Sequence, residues 1–202
     1  MASFGAKNPY FCKVKEEPNG KLPVYDGEPV EIGRLVKADL SITMASGKLY
    51  ANDELAESVE EFASGSLTME TDDIIDSVAS IVYGTTVEGK MVHYNTKDDP
   101  PSGGLAYYKK LMRNRKVLYK GYFYPLVKAS MGNDTASTRT DSITFGTSST
   151  TFTVFAAANG DWRLTEEFDT EQEAIAWVKG RFAPVSGGTT PAGPSGGEQA
   201  AG

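Results

Sequence analysis

The amino-acid sequence predicts a mainly β, α+β domain: two packed antiparallel sheets, as a β-sandwich or open barrel, with one or two flanking helices. Three observations carry this expectation. Several segments alternate apolar and polar residues with a period of two, only two stretches have helical spacing, and Gly, Pro and polar breaks divide the remainder into about eight short strands.

The clearest strand is LVKADLSITM, where Val36, Ala38, Leu40, Ile42 and Met44 alternate with Lys37, Asp39, Ser41 and Thr43, as a strand with one buried face requires. A turn is expected at residues 45–47. SLTME repeats the pattern through Leu67 and Met69, but Phe62 has the opposite parity, so a bulge is expected at Gly65. Further strands are expected in EGKMVHYN, AYYKKLM, KVLYKGYFYPLV, SITF, TTFTVF and DWRLTEEF. In DDIIDSVASIVYG, Ile74, Ile75, Val78, Ile81 and Val82 share a helical face, with Asp72 or Asp73 as cap and Gly84 as stop. In TEQEAIAWVKGRF, Thr170 and Glu173 have capping-box spacing, and Ile175, Val178 and Phe182 mark the buried stripe.

These elements delimit three regions. Residues 1–29 are expected to be an extended N-terminal arm, because prolines at 18, 23 and 29 and glycines at 20 and 27 favour turns. Residues 30–183 form the β domain. Residues 184–202, PVSGGTTPAGPSGGEQAAG, lack the apolar surface that offsets ordering entropy and are expected to be a flexible tail.

Composition narrows the function. The chain has 202 residues, 40% of them hydrophobic, enough for one buried core. A formal net charge of −7 argues against a protein devoted to holding nucleic acid, whose phosphates need a cationic surface. Cys12 is the single cysteine, so neither an intrachain disulfide nor a thiolate zinc cluster can form. No apolar run spans a bilayer and the N-terminus lacks a signal-peptide core, which predicts a cytoplasm-like compartment and no membrane insertion.

Candidate chemistry is sparse. His93, the single histidine, lies in an alternating segment and reads as a strand residue. No Ser, Cys and His set suggests a nucleophile relay, and adjacent carboxylates such as Glu60 with Glu61 point to opposite faces of a strand. A hydrolase built on Glu60 and Glu70 is the weakest reading. SGGLAYY and FASGSL lack phosphate-loop spacing and read as turns and bulges. No catalytic residue, cofactor or metal ligand is assigned. KGYFYPLV partly resembles the aromatic strand of an RNA-recognition motif, making a nucleic-acid-binding module at residues 107–128 the alternative reading.

Charge is segregated along the chain. Residues 49–89 carry ten carboxylates and no Lys or Arg, whereas residues 100–133 carry Lys109, Lys110, Arg113, Arg115, Lys116, Lys120 and Lys128 and no acid. The two segments can face each other within one fold or meet between copies.

The ordered series IGRLVKADLSI, KLYANDELAES, FASGSLTMETDDI, KVLYKGYFYPLVKAS and DSITF resembles the major tail protein, or tail-tube protein, of long non-contractile-tailed bacteriophages, over roughly residues 32–182. The resemblance implies a tail-tube fold whose copies close into hexameric rings and stack into a hollow tube in the virion, assembled in the host bacterial cytoplasm. It implies partners: further copies of the chain, a tape-measure protein, tail terminator and distal tail proteins, and double-stranded DNA in transit without specific binding. Leu49, Tyr50, Asp53, Glu54, Leu55 and Glu57, with Arg113, Arg115 and Lys116, become candidates for contacts between subunits or rings. Glu60, Glu61 and Glu70 become candidates for the lumen wall.

Overall fold

The computed structural model describes residues 2–51, 54–134 and 146–183. Eleven strands and two helices follow one another: β1 (Ala2–Glu16), β2 (Val24–Tyr25), β3 (Val30–Glu31), β4 (Leu35–Ala51), β5 (Glu54–Thr71), α1 (Asp76–Tyr83), β6 (Thr86–Glu88), β7 (Met91–His93), β8 (Ser102–Arg113), β9 (Lys116–Asp134), β10 (Ser148–Phe155), β11 (Leu164–Phe168) and α2 (Glu171–Gly180). The protein is mainly β, as its alternation predicts.

Two packed sheets were expected; the strands instead form one antiparallel nine-stranded sheet, with seven strands in the order β2-β1-β8-β9-β10-β5-β4, β3 paired to β1 and β11 to β9, plus a separate β6–β7 hairpin. In a flat sheet β1 and β4 would lie about 24 Å apart, at about 4.8 Å per strand. Their Cα atoms approach within 8 Å, so the sheet curls into an open barrel. Inside the curl, Phe11, Leu67, Leu105, Tyr124, Phe152 and Val154 pack with Val78 and Val82 of α1. Outside it, α2 covers one half of the convex face, where Ala174, Val178 and Phe182 meet Tyr10, Tyr25, Tyr108 and Phe123.

Strand β9 serves both halves. Its residues 119–123 pair with β11 and residues 126–131 with β10, while β8 lies along its other edge. The register slips between Leu105–Tyr124 and Gly103–Val127, a bulge at Pro125 and Leu126. Tyr122 and Tyr124 therefore share the inner face with Val127 and Ala129 despite their opposite parity. Proline is tolerated at a bulge because no ladder donor is required there, and the Pro125 carbonyl accepts a buried 2.8 Å hydrogen bond from the Tyr25 hydroxyl.

Several boundaries differ from the sequence reading. Residues 2–16 of the expected N-terminal arm are β1, a strand within the sheet. Tyr10 and Cys12 enter the outer core and Phe11 the inner one, so both faces are buried and no polar alternation announces the strand. The expected turn at residues 45–47 is continuous strand. The bulge that reconciles Phe62 falls at Ala63, between the Thr43–Ser64 and Met44–Phe62 pairs, and a second one at Val36 leaves that side chain 56% exposed. EGKMVHYN is not one strand but the β6–β7 hairpin turning at Gly89 and Lys90. SGG is no turn: Gly103 and Gly104 are strand residues, and a Cβ on Gly103 would lie 2.3 Å from Phe11 Cζ. SITF lies outside the described residues.

Helix α1 starts later than expected, with Ile75 at its N-cap and without a side-chain cap. Asp72 and Asp73 instead accept backbone N–H bonds from Arg34, Asp73 and Ile74 in the preceding turn. Ile75 is exposed, while Val78, Ala79, Val82 and Tyr83 are buried, and Gly84 ends the helix at φ 73°. In α2 the Thr170–Glu173 capping box forms in both directions.

Candidate self-association surface

The β4–β5 ladder outruns the domain. Among the β5 residues whose side chains are described, Phe62 is the outermost packed on the core, and its cross-strand partner Met44 is exposed. From Met44 to Ala51, at about 3.4 Å per residue, the hairpin extends about 24 Å. Side chains at residues 45–48 and 58–61 are all exposed. Among the described residues β4 pairs only with β5, so its other edge carries unpaired backbone donors and acceptors. Ile42, Met44 and Val59 add exposed apolar side chains. Long free edges with apolar flanks are templates for a further strand, and monomeric proteins usually blunt them.

The contact candidates from the sequence separate into two groups. Leu49, Tyr50, Glu54, Leu55 and Glu57 occupy the outer end of this hairpin, where the backbone but not the side chains is described; Asp53 lies outside the described residues. Arg113, Arg115 and Lys116 sit at the β8–β9 turn, with Asn114 and Arg115 at positive φ. Two of these cations meet acids of their own chain. Arg113 and Lys120 contact Glu167 at 3.1 and 3.6 Å, and Lys116 contacts Asp169 at 2.7 Å. The Arg113 hydrogen bond is the main cause holding the Glu167 carboxyl below the usual range. Charge segregation is thus partly resolved within the fold, through Glu167 of β11 and Asp169 just beyond it, which no spacing pattern tied to the basic turn.

The lumen candidates are also divided. Glu70 pairs across the ladder with Lys37, and Glu61 with Ala45, which places both on the convex face. Glu60 pairs with Ser46 on the opposite face, the Ala63 bulge having shifted the parity. Glu60 and Glu70 are also ten strand positions apart, roughly 30 Å, so the two carboxylates cannot converge on one bond.

The convex face beside these acids was not singled out in the sequence. Where α2 does not reach, cross-strand rows bring Ser41, Ser66 and Thr153 together, then Thr68, Thr151 and Ser130. Thr68 and Thr151 hydroxyls lie 3.4 Å apart, and Ser130 donates to the Thr151 carbonyl at 3.2 Å. Lys128 ends the first row beside Thr153 and Asp39 ends the second beside Thr68, while Leu126 and Phe155 bound the rows on one side and Lys37 and Glu70 on the other. The signal was present as the polar phase of SGSLT and STTFT, the residues between the apolar ones.

In the aromatic segment 107–128, Tyr107, Tyr108, Phe123 and Tyr124 are buried. Tyr107 stacks on Tyr122 at 5.2 Å, and Lys109 lies 5.3 Å from the Tyr122 ring centre, its ammonium pushed below the usual lysine range by burial. Lys128 is paired with Asp99 at 2.6 Å. His93 is an exposed strand residue 3.6 Å from Glu88. No described helix is long and apolar enough to cross a membrane. Compared with known proteins, the chain matches no protein-family model and no curated protein.

Proposed function

We propose that the chain is a structural subunit that self-assembles into hexameric rings stacked as a phage tail tube, a conduit for genome delivery around a tape-measure protein. The observation that carries this is the free edge of the seventeen-residue β4 together with the hairpin beyond the core. Both leave a lone copy with backbone and apolar surface unmatched, and a further copy is the partner that a repeating assembly supplies. On this reading Leu49, Tyr50 and Leu55 are covered only in the assembly, tail terminator and distal tail proteins close its ends, and the protein resides in the virion after assembly in the host cytoplasm. The acidic net charge of −7 is compatible with DNA passing without being held.

Negative-stain microscopy of the concentrated full chain tests the proposal. Rings or tubes are expected. A species that stays monomeric by sedimentation at every concentration, without ordered particles, overturns it. The nucleic-acid alternative draws less support, since the rings of segment 107–128 that would stack on bases are largely buried. Tight duplex or single-strand binding in a gel shift at physiological salt would reverse that order.

A further inference from the structure

We infer that Lys109 and Arg163, together with the hydroxyl of Tyr124, form a binding site for a small oxyanion, a carboxylate or a phosphate, at the end of the barrel where the long hairpin begins. The site belongs to a single copy and is independent of assembly.

Three segments bring these groups together. Tyr107 of β8 pairs across the ladder with Tyr122 of β9, and the two rings stack. The Lys109 ammonium lies over both, 5.7 Å from the Tyr107 ring centre and 5.3 Å from that of Tyr122. Arg163 immediately precedes β11, whose Leu164 pairs with Phe123, so it lies beside Tyr124; its guanidinium rests on Trp162. The Tyr124 ring stacks in turn on Tyr107, with centroids 6.2 Å apart. Exposure is graded: Tyr107 and Tyr124 are buried, Lys109 and Tyr122 half-buried, and Arg163 exposed. The result is a recess with an aromatic floor and a cationic rim.

The cations of this rim differ from their neighbours. Lys120, opposite Lys109 in the ladder, and Arg113 both contact Glu167. Lys109 and Arg163 have no ion pair among the described residues. The acid whose charge reaches Lys109 is Asp39, which is itself paired with Lys37. Arg163 acts on Lys109 in the opposite sense: after burial, the larger cause, its repulsion also pushes the ammonium below the usual lysine range. Like charges held over a floor of low dielectric repel, and an anion between them replaces that repulsion with charge-assisted hydrogen bonds.

Aromatic faces alone would go some way towards satisfying each cation. They do nothing for Tyr124. Its hydroxyl, on a side chain 0% exposed, has no hydrogen-bond partner among the described residues, and the Arg163 charge reaches it. A buried hydroxyl left unmatched is costly, and an oxygen of the anion matches it by accepting its proton. The planar fork of Arg163, the compact ammonium of Lys109 and one phenolic O–H make a donor set suited to a carboxylate or phosphate.

The test compares urea midpoints of the full chain as chloride is exchanged for acetate or for phosphate at one pH and one ionic strength. The unsubstituted protein is measured beside Lys109→Met, Arg163→Gln and Tyr124→Phe. An anion that binds the folded chain raises the midpoint with its concentration. In the unsubstituted chain such a rise over chloride is expected, and whether acetate, phosphate or both produce it identifies the group bound. Removing one charged donor is expected to raise the concentration needed for a given rise by about tenfold or more. Tyr124→Phe, which keeps the ring, should give a smaller shift in the same direction and carries the test if a cation variant fails to fold. No rise over chloride overturns the inference. An equal rise in all four proteins also overturns it, because exclusion of a salt from the protein surface stabilises without any site.

Discussion

Phe62 and Trp162 stack with ring centroids 4.5 Å apart and planes 5° from parallel, and the Arg163 guanidinium lies 4.6 Å from the Trp162 ring centre. Phe62 is the root of the long hairpin and Trp162 belongs to the β10–β11 connection, so this stack anchors the projection to the body. Replacing Trp162 by Ala is expected to cost about 1–2 kcal/mol of stability, since both rings are only partly buried. Its sharper signature is local: hydrogen exchange should accelerate at residues 43–48 and 58–61 and stay unchanged in α2. Uniform acceleration would show that the stack supports the whole fold instead.

At Gly103 the backbone lies directly against the core. An added Cβ would meet Phe11 Cε2 at 2.4 Å as well as Cζ, and the ring is held by Phe152 at 6.2 Å. Gly103→Ala is therefore expected to destabilise by about 1–3 kcal/mol, the usual range for overpacking, read as a lower urea midpoint. Gly47→Ala, with open space around its Cβ, is the control and should move the midpoint little.

Glu171 carries a pH dependence with a definite sign. The Tyr108 hydroxyl donates to it at 2.7 Å and Lys7 contacts it at 3.0 Å, and these bonds, Tyr108 first, hold its carboxyl below the usual range. A lowered folded pKa contributes stability above the unfolded value, about 4.3 for Glu, and loses it as pH falls through the folded value. Urea midpoints of the wild type should therefore fall more steeply below about pH 5 than those of Glu171→Gln. Added salt should narrow the gap, because the carboxylate is partly exposed.

Cys12 supplies a probe of opening. Its sulfur donates to the Asp26 carbonyl at 3.5 Å, and burial pushes the thiol above its ordinary value. Modification by a disulfide reagent at neutral pH should be slow in the folded protein and accelerate with urea in step with unfolding. Rapid modification without urea would mean that the β1–β2 region opens independently.

The parts legible in the sequence are those with one wet face. The alternation of β5 and β10, the Gly84 stop and the Thr170 capping box are local events whose cause lies within a few residues. Strand β1 was not legible because Tyr10, Phe11 and Cys12 bury both faces, and the ASG segment read as a turn although the strand runs through it. The Ala63 and Pro125 bulges reverse parity, so Glu60, Glu61 and the aromatics of β9 could be placed only once the register was known. The pairing of Arg113 and Lys116 with Glu167 and Asp169 joins positions more than fifty apart in sequence, which periodicity cannot see.

The β4–β5 hairpin also has a mechanical character. A pull along its axis loads the cross-strand hydrogen bonds in shear and shares the force among many of them, whereas a sideways pull opens them one after another from the tip. If adjacent copies hold the hairpin lengthwise, it is a tension member: stiff along the direction in which a filament is stretched, compliant when the filament bends.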